Sequence, residues 1–145
     1  FGLYHNLVYK DIVKALDETN RILIKGGILC CSFRSDNVQN YILDRQKNHA
    51  QSGDKIHKIN LKIKEILDLL LSNGYSVDKI FHVENVPFIY QIKIFRHRSQ
   101  KIKNEKDFRE LGPRLNAIGN FLQKLSFRFF PSQMCNNYTL ICKKL

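Results

Sequence analysis

Apolar residues recur at Ile12, Leu16, Ile22 and Leu23, with Ala15 and Thr19 between them, while Lys14, Asp17, Glu18 and Arg21 fall on other faces. This spacing follows the helical period of about 3.6 residues and predicts a helix from about Tyr9 to Leu23. Lys25 offers a cation to the negative helix end, and Gly26 and Gly27 permit the positive-φ geometry that stops a helix and turns the chain. The run Ile28-Leu29-Cys30-Cys31-Ser32-Phe33 is apolar on both faces, which predicts an interior strand covered by helices above and below.

Ser35 and Asp36 are placed to cap a short helix over 37–43, followed by a polar loop over 46–58. Asn60 is the expected N-cap of a helix from Leu61 to Ser72, whose Leu61, Ile63, Ile66, Leu67, Leu70 and Leu71 form a wide apolar face that Asn73-Gly74 stops. Tyr75 to Val83 begins with alternation and predicts a second strand, and the β-rich run Asn137 to Leu145 predicts a last strand docked in the same sheet. Between these strands, residues 85–136 are too long for a hairpin loop and are expected to carry structure of their own. Phe88 to Phe95 reads as a strand and Arg96 to Lys106 as a charged connector. After Gly112-Pro113, a helix from Arg114 to Phe127 is expected, with Leu115, Ile118, Leu122 and Leu125 on one face.

With 145 residues and 43% hydrophobic content, the chain is long enough for one domain with a core. No apolar run reaches the roughly 18 residues of a membrane span, and no basic start followed by an apolar stretch marks a signal peptide. Cys30, Cys31, Cys135 and Cys142 lack zinc-site spacing, so no metal is expected; all four are read as buried or half-buried small hydrophobes in a reducing, cytoplasmic setting. The net charge of +11 is unevenly spread. Residues 1–87 hold 12 Lys/Arg against 10 Asp/Glu, whereas residues 88–145 hold 12 against 3. The second part is therefore expected to attract phosphate-rich partners, whether nucleic acid, anionic lipid headgroups or a phosphorylated substrate.

The order helix, Lys-Gly-Gly turn, strand, helix ending in Asn-Gly-Tyr, strand, insertion and terminal strand resembles the C-terminal half of the class I, Rossmann-like, S-adenosylmethionine-dependent methyltransferases. The family's Arg-hydrophobic-Leu-Lys-x-Gly-Gly ending, which leads into its fifth strand, stands here as Arg21-Ile22-Leu23-Ile24-Lys25-Gly26-Gly27. Asn60 to Val77 is similar to its next helix and sixth strand, and Tyr138 to Lys144 to its seventh, antiparallel strand. The resemblance is clear through Val83 and over the last ten residues, and poor between them. It implies an α/β fold: the C-terminal portion of a methyltransferase sheet, about three strands with flanking helices, the last strand antiparallel. Residues 1–145 would be a single incomplete domain, with 85–136 a basic insertion between the last two strands.

The resemblance also places Phe1 to Leu7 at the carboxyl end of a preceding strand, where the family often carries a His-His or His-Asn pair. Ligands of open α/β sheets gather at such strand ends. It implies His5 as a catalytic residue that orients or deprotonates an acceptor hydroxyl or amine, its pKa lying close to working pH. Tyr4 and Asn6 beside it, and Arg34 on the loop after the fifth strand, are candidate substrate-binding residues, Arg34 for an acidic acceptor. The donor, S-adenosylmethionine, is held in the family by a glycine-rich turn after the first strand and an acidic residue after the second. Neither occurs in these residues: Gly26-Gly27 follows a helix, the wrong context for a nucleotide-binding turn. The chain alone is thus expected to bind the donor poorly and to be inactive, its acceptor a small or lipid-linked molecule.

Two other classes remain open. Phe88, Tyr90, Phe95, Phe108, Phe127, Phe129 and Phe130 lie among basic residues and can stack on RNA bases through residues 88–145, although no RNA-binding signature accompanies them. Leu115 to Phe130 can instead form a basic amphipathic helix on an anionic membrane surface. His49, His57, His82 and His97 lack the spacing of metal ligands and are read as loop or surface residues.

Overall fold

In a computed structural model, which describes residues 4–50, 58–98 and 112–145, the chain folds as a mixed α/β unit. A 3-10 turn at Tyr4–Asn6 leads into helix α1 (Tyr9–Ile22), strand β1 (Ile28–Arg34) and helix α2 (Val38–Ala50). Helix α3 (Ile63–Ser72) and strand β2 (Tyr75–Val83) follow. Two 3-10 turns, Phe88–Gln91 and Lys93–Phe95, precede helix α4 (Ala117–Phe129), the single turn α5 (Pro131–Met134) and strand β3 (Asn137–Lys144).

The strands form one sheet in the order β1-β3-β2, with β3 antiparallel to both neighbours. Among the described residues, the strand that comes last in sequence is therefore the central one. In the register, Cys31 faces Leu140 on one side of β3 and Ile80 faces it on the other, with a bulge between Val77 and Lys79. Ile12 and Leu16 of α1 and Ile66, Leu69 and Leu70 of α3 form one core with Cys31, Phe33, Tyr75, Tyr138, Leu140 and Cys142. Full burial of each large side chain there is worth about 1.5–3 kcal/mol.

The turn after α1 needs its glycine: Gly26 sits at φ +76°. The cation at the helix end is Lys144 of β3, whose Nζ donates to the carbonyls of Asn20 and Leu23, in place of the expected Lys25. The cap of α2 is Asn37, whose Oδ1 accepts from the Asn40 backbone N–H, in place of Ser35 or Asp36. The helix also runs on to Ala50 through the start of the expected loop, while residues 51–57 lie outside the described residues. Likewise α3 starts at Ile63, its first turn closed by the Lys62 backbone N–H donating to Glu65 Oε2. Leu71, expected on its apolar face, is exposed.

Three further expectations are corrected. Phe88 to Phe95 is not a strand: Pro87, at φ −58°, leads into two 3-10 turns that press Ile89 and Tyr90 onto Leu115 in a second, small core. Among the described residues β1 is an edge strand covered on one face only, so Ile28 is 68% exposed and Cys30 is exposed while Cys31, Cys135 and Cys142 are buried. Ile28, Cys30, Ile141 and Phe81 lie on the uncovered face. Finally, Leu115 and Leu122 of the face expected on α4 pack into the small core, but the helix turns Gly119 and Gln123 inward beside them and leaves Ile118 and Leu125 exposed.

Candidate functional site

The carboxyl ends of β1 and β2 and the amino end of β3 share one rim of the sheet, Arg34 and Val83 both pairing with Asn137. Asparagine and serine fix this rim. Asn40 Nδ2 donates to the carbonyls of Ser35 (2.7 Å) and Asn136 (2.8 Å), and Asn37 Nδ2 donates to those of Cys135 (2.7 Å) and Ser132 (2.9 Å). Asn136 Oδ1 in turn accepts from the backbone N–H groups of Asn85 (2.7 Å) and Val86 (2.9 Å), and the Gln39 amide donates to the Val86 carbonyl. Each of these side chains is buried, so an unmatched partner would be costly, and the network holds the three strand ends in one arrangement.

Arg34 leaves β1 beside this network. Its Nη1 donates to Asp44 Oδ2 (2.6 Å) and Asn60 Oδ1 (2.9 Å), and its Nη2 to Asn40 Oδ1 (3.3 Å). The Arg34 side chain is only 13% exposed. The charge expected to meet an acidic acceptor is thus matched within the chain by Asp44. Burial alone would raise the Asp44 pKa, but Arg34, Asn60 and the Lys58 charge hold it below its ordinary value.

Backbone bonds bring the Tyr4–Asn6 turn to the same end of β1. Leu61 N–H donates to the Arg34 carbonyl (3.0 Å), and two residues earlier Ile59 N–H donates to the His5 carbonyl (2.9 Å). Tyr4 is buried, with its ring stacked on Phe33 at a centroid separation of 5.0 Å. Its ring is therefore part of the core, while Asn6 is exposed and His5 half-exposed. Burial, then the Arg34 and Lys58 charges, lower the His5 pKa. The imidazole is consequently neutral at neutral pH, with a lone pair available for a proton. Of the four residues singled out in the sequence, the fold gathers His5, Asn6 and Arg34 at one strand end and commits Tyr4 to packing.

Sequence reasoning missed Asp44 and Asn60, which hold Arg34, and Asn37, Asn40 and Asn136, which hold the rim. The signal present was the clustering of small polar side chains at Ser35-Asp36-Asn37 and Asn136-Asn137. A second feature of the rim is an open cleft of about 470 Å³ past the end of β2, lined by Glu84, Leu115, Gln123, Lys124, Phe127 and Arg128 among others. Burial raises the pKa of Glu84, opposed by a hydrogen bond from Gln123 Nε2 at 2.8 Å. The buried thiols of Cys31 and Cys142 stand 4.0 Å apart in the core, and their contact together with burial drives the Cys31 pKa upward, so that thiol is no nucleophile.

The described strands thus form a mixed α/β layer whose central strand runs antiparallel to both neighbours, with polar side chains gathered at one rim. No protein-family model matches the chain, and no curated protein matches it in sequence. Among solved structures, it is similar to the crystal structure of a SAM-dependent methyltransferase from Archaeoglobus fulgidus, with a TM-score of 0.54 and 14% identity. The match covers 98% of this chain and 56% of the other, so the chain spans about half the length of that protein. At that identity the likeness concerns the fold, which is similar to a methyltransferase fold.

The described residues do not fit a complete donor site. Their positive-φ glycines are Gly26 and Gly74, each turning a helix into a strand, and Gly112 in a loop, so no described glycine turn leads from a strand into a helix to cradle a nucleoside.

Proposed function

We propose that this chain is the C-terminal portion of an S-adenosylmethionine-dependent methyltransferase and forms the acceptor side of its site. The observation that carries this reading is the sheet order β1-β3-β2 with a reversed central strand, which aligns with a SAM-dependent methyltransferase over 98% of the chain. On this reading residues 1–145 are one incomplete domain, and residues 85–136 are an insertion between its last two strands. The uncovered face and outer edge of β1 are then where the remainder of the sheet packs, and the donor cradle belongs to residues outside those described.

His5 is the residue assigned to proton transfer. Its depressed pKa keeps it neutral at working pH, and it is suited to take a proton from an acceptor hydroxyl or amine. Asn6 stands beside it as a hydrogen-bonding contact for the acceptor. Arg34, paired with Asp44, acts by positioning the loop and by keeping His5 deprotonated. The acceptor is a small or lipid-linked molecule, and the protein is assigned to the cytoplasm. No described helix is long and apolar enough to cross a membrane.

The test is a calorimetric titration of S-adenosylmethionine into the product of the longer reading frame that contains this chain and into the 145-residue chain alone. Binding by the longer protein and none by the shorter one is the expected result. A longer protein that fails to bind, or a reading frame with no coding sequence ahead of Phe1, overturns the proposal.

A further inference from the structure

The outward surface of α4 is apolar. Ile118, Phe121 and Phe129 are each 65% exposed and Leu125 is 42% exposed, and Phe130 at the helix end is 60% exposed. Spaced at 118, 121, 125 and 129, they recur with the helical period and line one stripe along a helix about 20 Å long. A stripe of this kind in water calls for something to cover it.

The orientation of α4 is locked by groups that are not apolar. Asn116 Oδ1 accepts from the Gly119 N–H at 2.8 Å, and Gln123 Oε1 accepts from the Ile89 N–H at 2.9 Å while its Nε2 donates to Glu84. A Cβ at Gly119 would stand 2.9 Å from both the Cβ and the carbonyl oxygen of Phe95, so only glycine lets the helix approach there. Rotating α4 to bury its stripe would break the Gln123 bonds to Ile89 and Glu84 and bring a side chain into that contact. The apolar face is therefore held outward.

Charge identifies what covers it. Residues 112–145 contain Arg114, Lys124, Arg128, Lys143 and Lys144 and no Asp or Glu. Lys124 and Arg128 are exposed on α4 itself, and no acidic residue occurs in that helix. A second copy docked through the same helix would bring like charges together. RNA would meet the cations, but Ile118 and Leu125 offer no ring for a base to stack on. A surface with an apolar layer beneath negative headgroups satisfies both features.

We propose that α4 lies on an anionic lipid surface, with Ile118, Phe121, Leu125 and Phe129 inserted between the headgroups and Lys124 and Arg128 against their phosphates. This goes beyond the methyl-transfer reading and does not rest on it. It brings the cleft between α4 and the end of β2 to the membrane plane.

Co-sedimentation of the 145-residue chain with vesicles of phosphatidylcholine, with and without phosphatidylglycerol, tests the proposal. The chain is expected to pellet with the anionic vesicles, roughly tenfold less with phosphatidylcholine alone, and less as salt is raised. Phe121→Ser with Leu125→Ser is expected to lower partitioning by roughly tenfold or more. Lys124→Gln with Arg128→Gln should do so by roughly tenfold on the anionic vesicles only. Because the chain contains no tryptophan, Phe129→Trp adds a single reporter at an exposed site, whose emission should shift to the blue on anionic vesicles. Failure of the parent chain to pellet, an unshifted reporter, pelleting unchanged by the stripe substitutions, or retention by single-stranded RNA in place of vesicles each overturns it.

Discussion

Lys144 Nζ donates to the Asn20 carbonyl at 2.6 Å and to the Leu23 carbonyl at 2.8 Å, so the end of the last strand closes the end of the first helix. The carbonyls at a helix C-terminus lack intrahelical donors, and a cation there also meets the negative end of the helix dipole. Lys144→Met keeps most of the aliphatic stem and removes both bonds. It is expected to destabilise the chain by about 1–2 kcal/mol, read as a lower urea midpoint with unchanged slope. A midpoint equal to that of the parent would show that water serves those carbonyls equally well.

Asn20 also governs the second helix-to-strand turn. Its Nδ2 donates to the carbonyls of Asn73 (2.9 Å) and Gly74 (3.3 Å), and Gly74 sits at φ +80°. A Cβ there would come within 2.9 Å of Asn20 Nδ2, whereas a Cβ at Gly112, also at positive φ, meets nothing within 4 Å. Gly74→Ala therefore carries both backbone strain and a displaced hydrogen bond, and Gly112→Ala the strain alone. The expected costs are about 2–3 kcal/mol and about 1 kcal/mol. Equal losses in thermal melting would contradict the role given to Asn20.

The sheet and the helices α1 and α3 were legible because each of those segments carries its own period and its own stop. Tyr9 to Arg34 and Ile63 to Val83 need little from elsewhere to declare their elements, and the alternation at Asn137 to Lys144 marks a strand by itself. The face of α4 was legible only at Leu115 and Leu122, because Gly119 and Gln123 point inward through Phe95 and Ile89, which a separate segment supplies. Nor was the half-covered state of β1 legible, since an apolar run on both faces describes what a strand can bury and not what is present to bury it. At the rim, His5 and Arg34 were visible as residue types. The pairing of Arg34 with Asp44 and Asn60, 10 and 26 positions away, arises only once α2 and the 59–61 segment pack beside β1.

That pairing sets an acid limit on stability. The Asp44 pKa is depressed from its ordinary 3.8, so the stabilisation is fully present above that value and is lost as the pH falls through the lower folded pKa. Asp44→Asn removes the carboxylate and leaves the nearly buried Arg34 guanidinium without its counter-charge. A loss of about 1–3 kcal/mol at neutral pH is expected, together with a flatter fall in urea midpoint below about pH 4. A variant that kept the parent's full acid dependence would assign that dependence to other carboxylates.

The same guanidinium reaches His5 through its charge. Desolvation, Arg34 and Lys58 each favour the neutral imidazole, so the His5 pKa lies below 6.5. A depressed histidine pKa means that the unfolded chain binds more protons as the pH falls below 6.5; the contribution of His5 to stability is therefore complete above that value and declines as the solution is acidified through it. NMR titration of the His5 ring protons, assigned by their loss in His5→Gln, is expected to show a midpoint below 6.5. Arg34→Gln should raise that midpoint without abolishing titration, because desolvation and Lys58 remain. A midpoint at or above 6.5 in the parent chain would remove the basis for assigning His5 to proton acceptance at neutral pH, whatever the sheet order says of the fold. An unchanged midpoint in the Arg34 variant would leave that assignment to burial alone and confine Arg34 to its bonds with Asp44, Asn60 and Asn40.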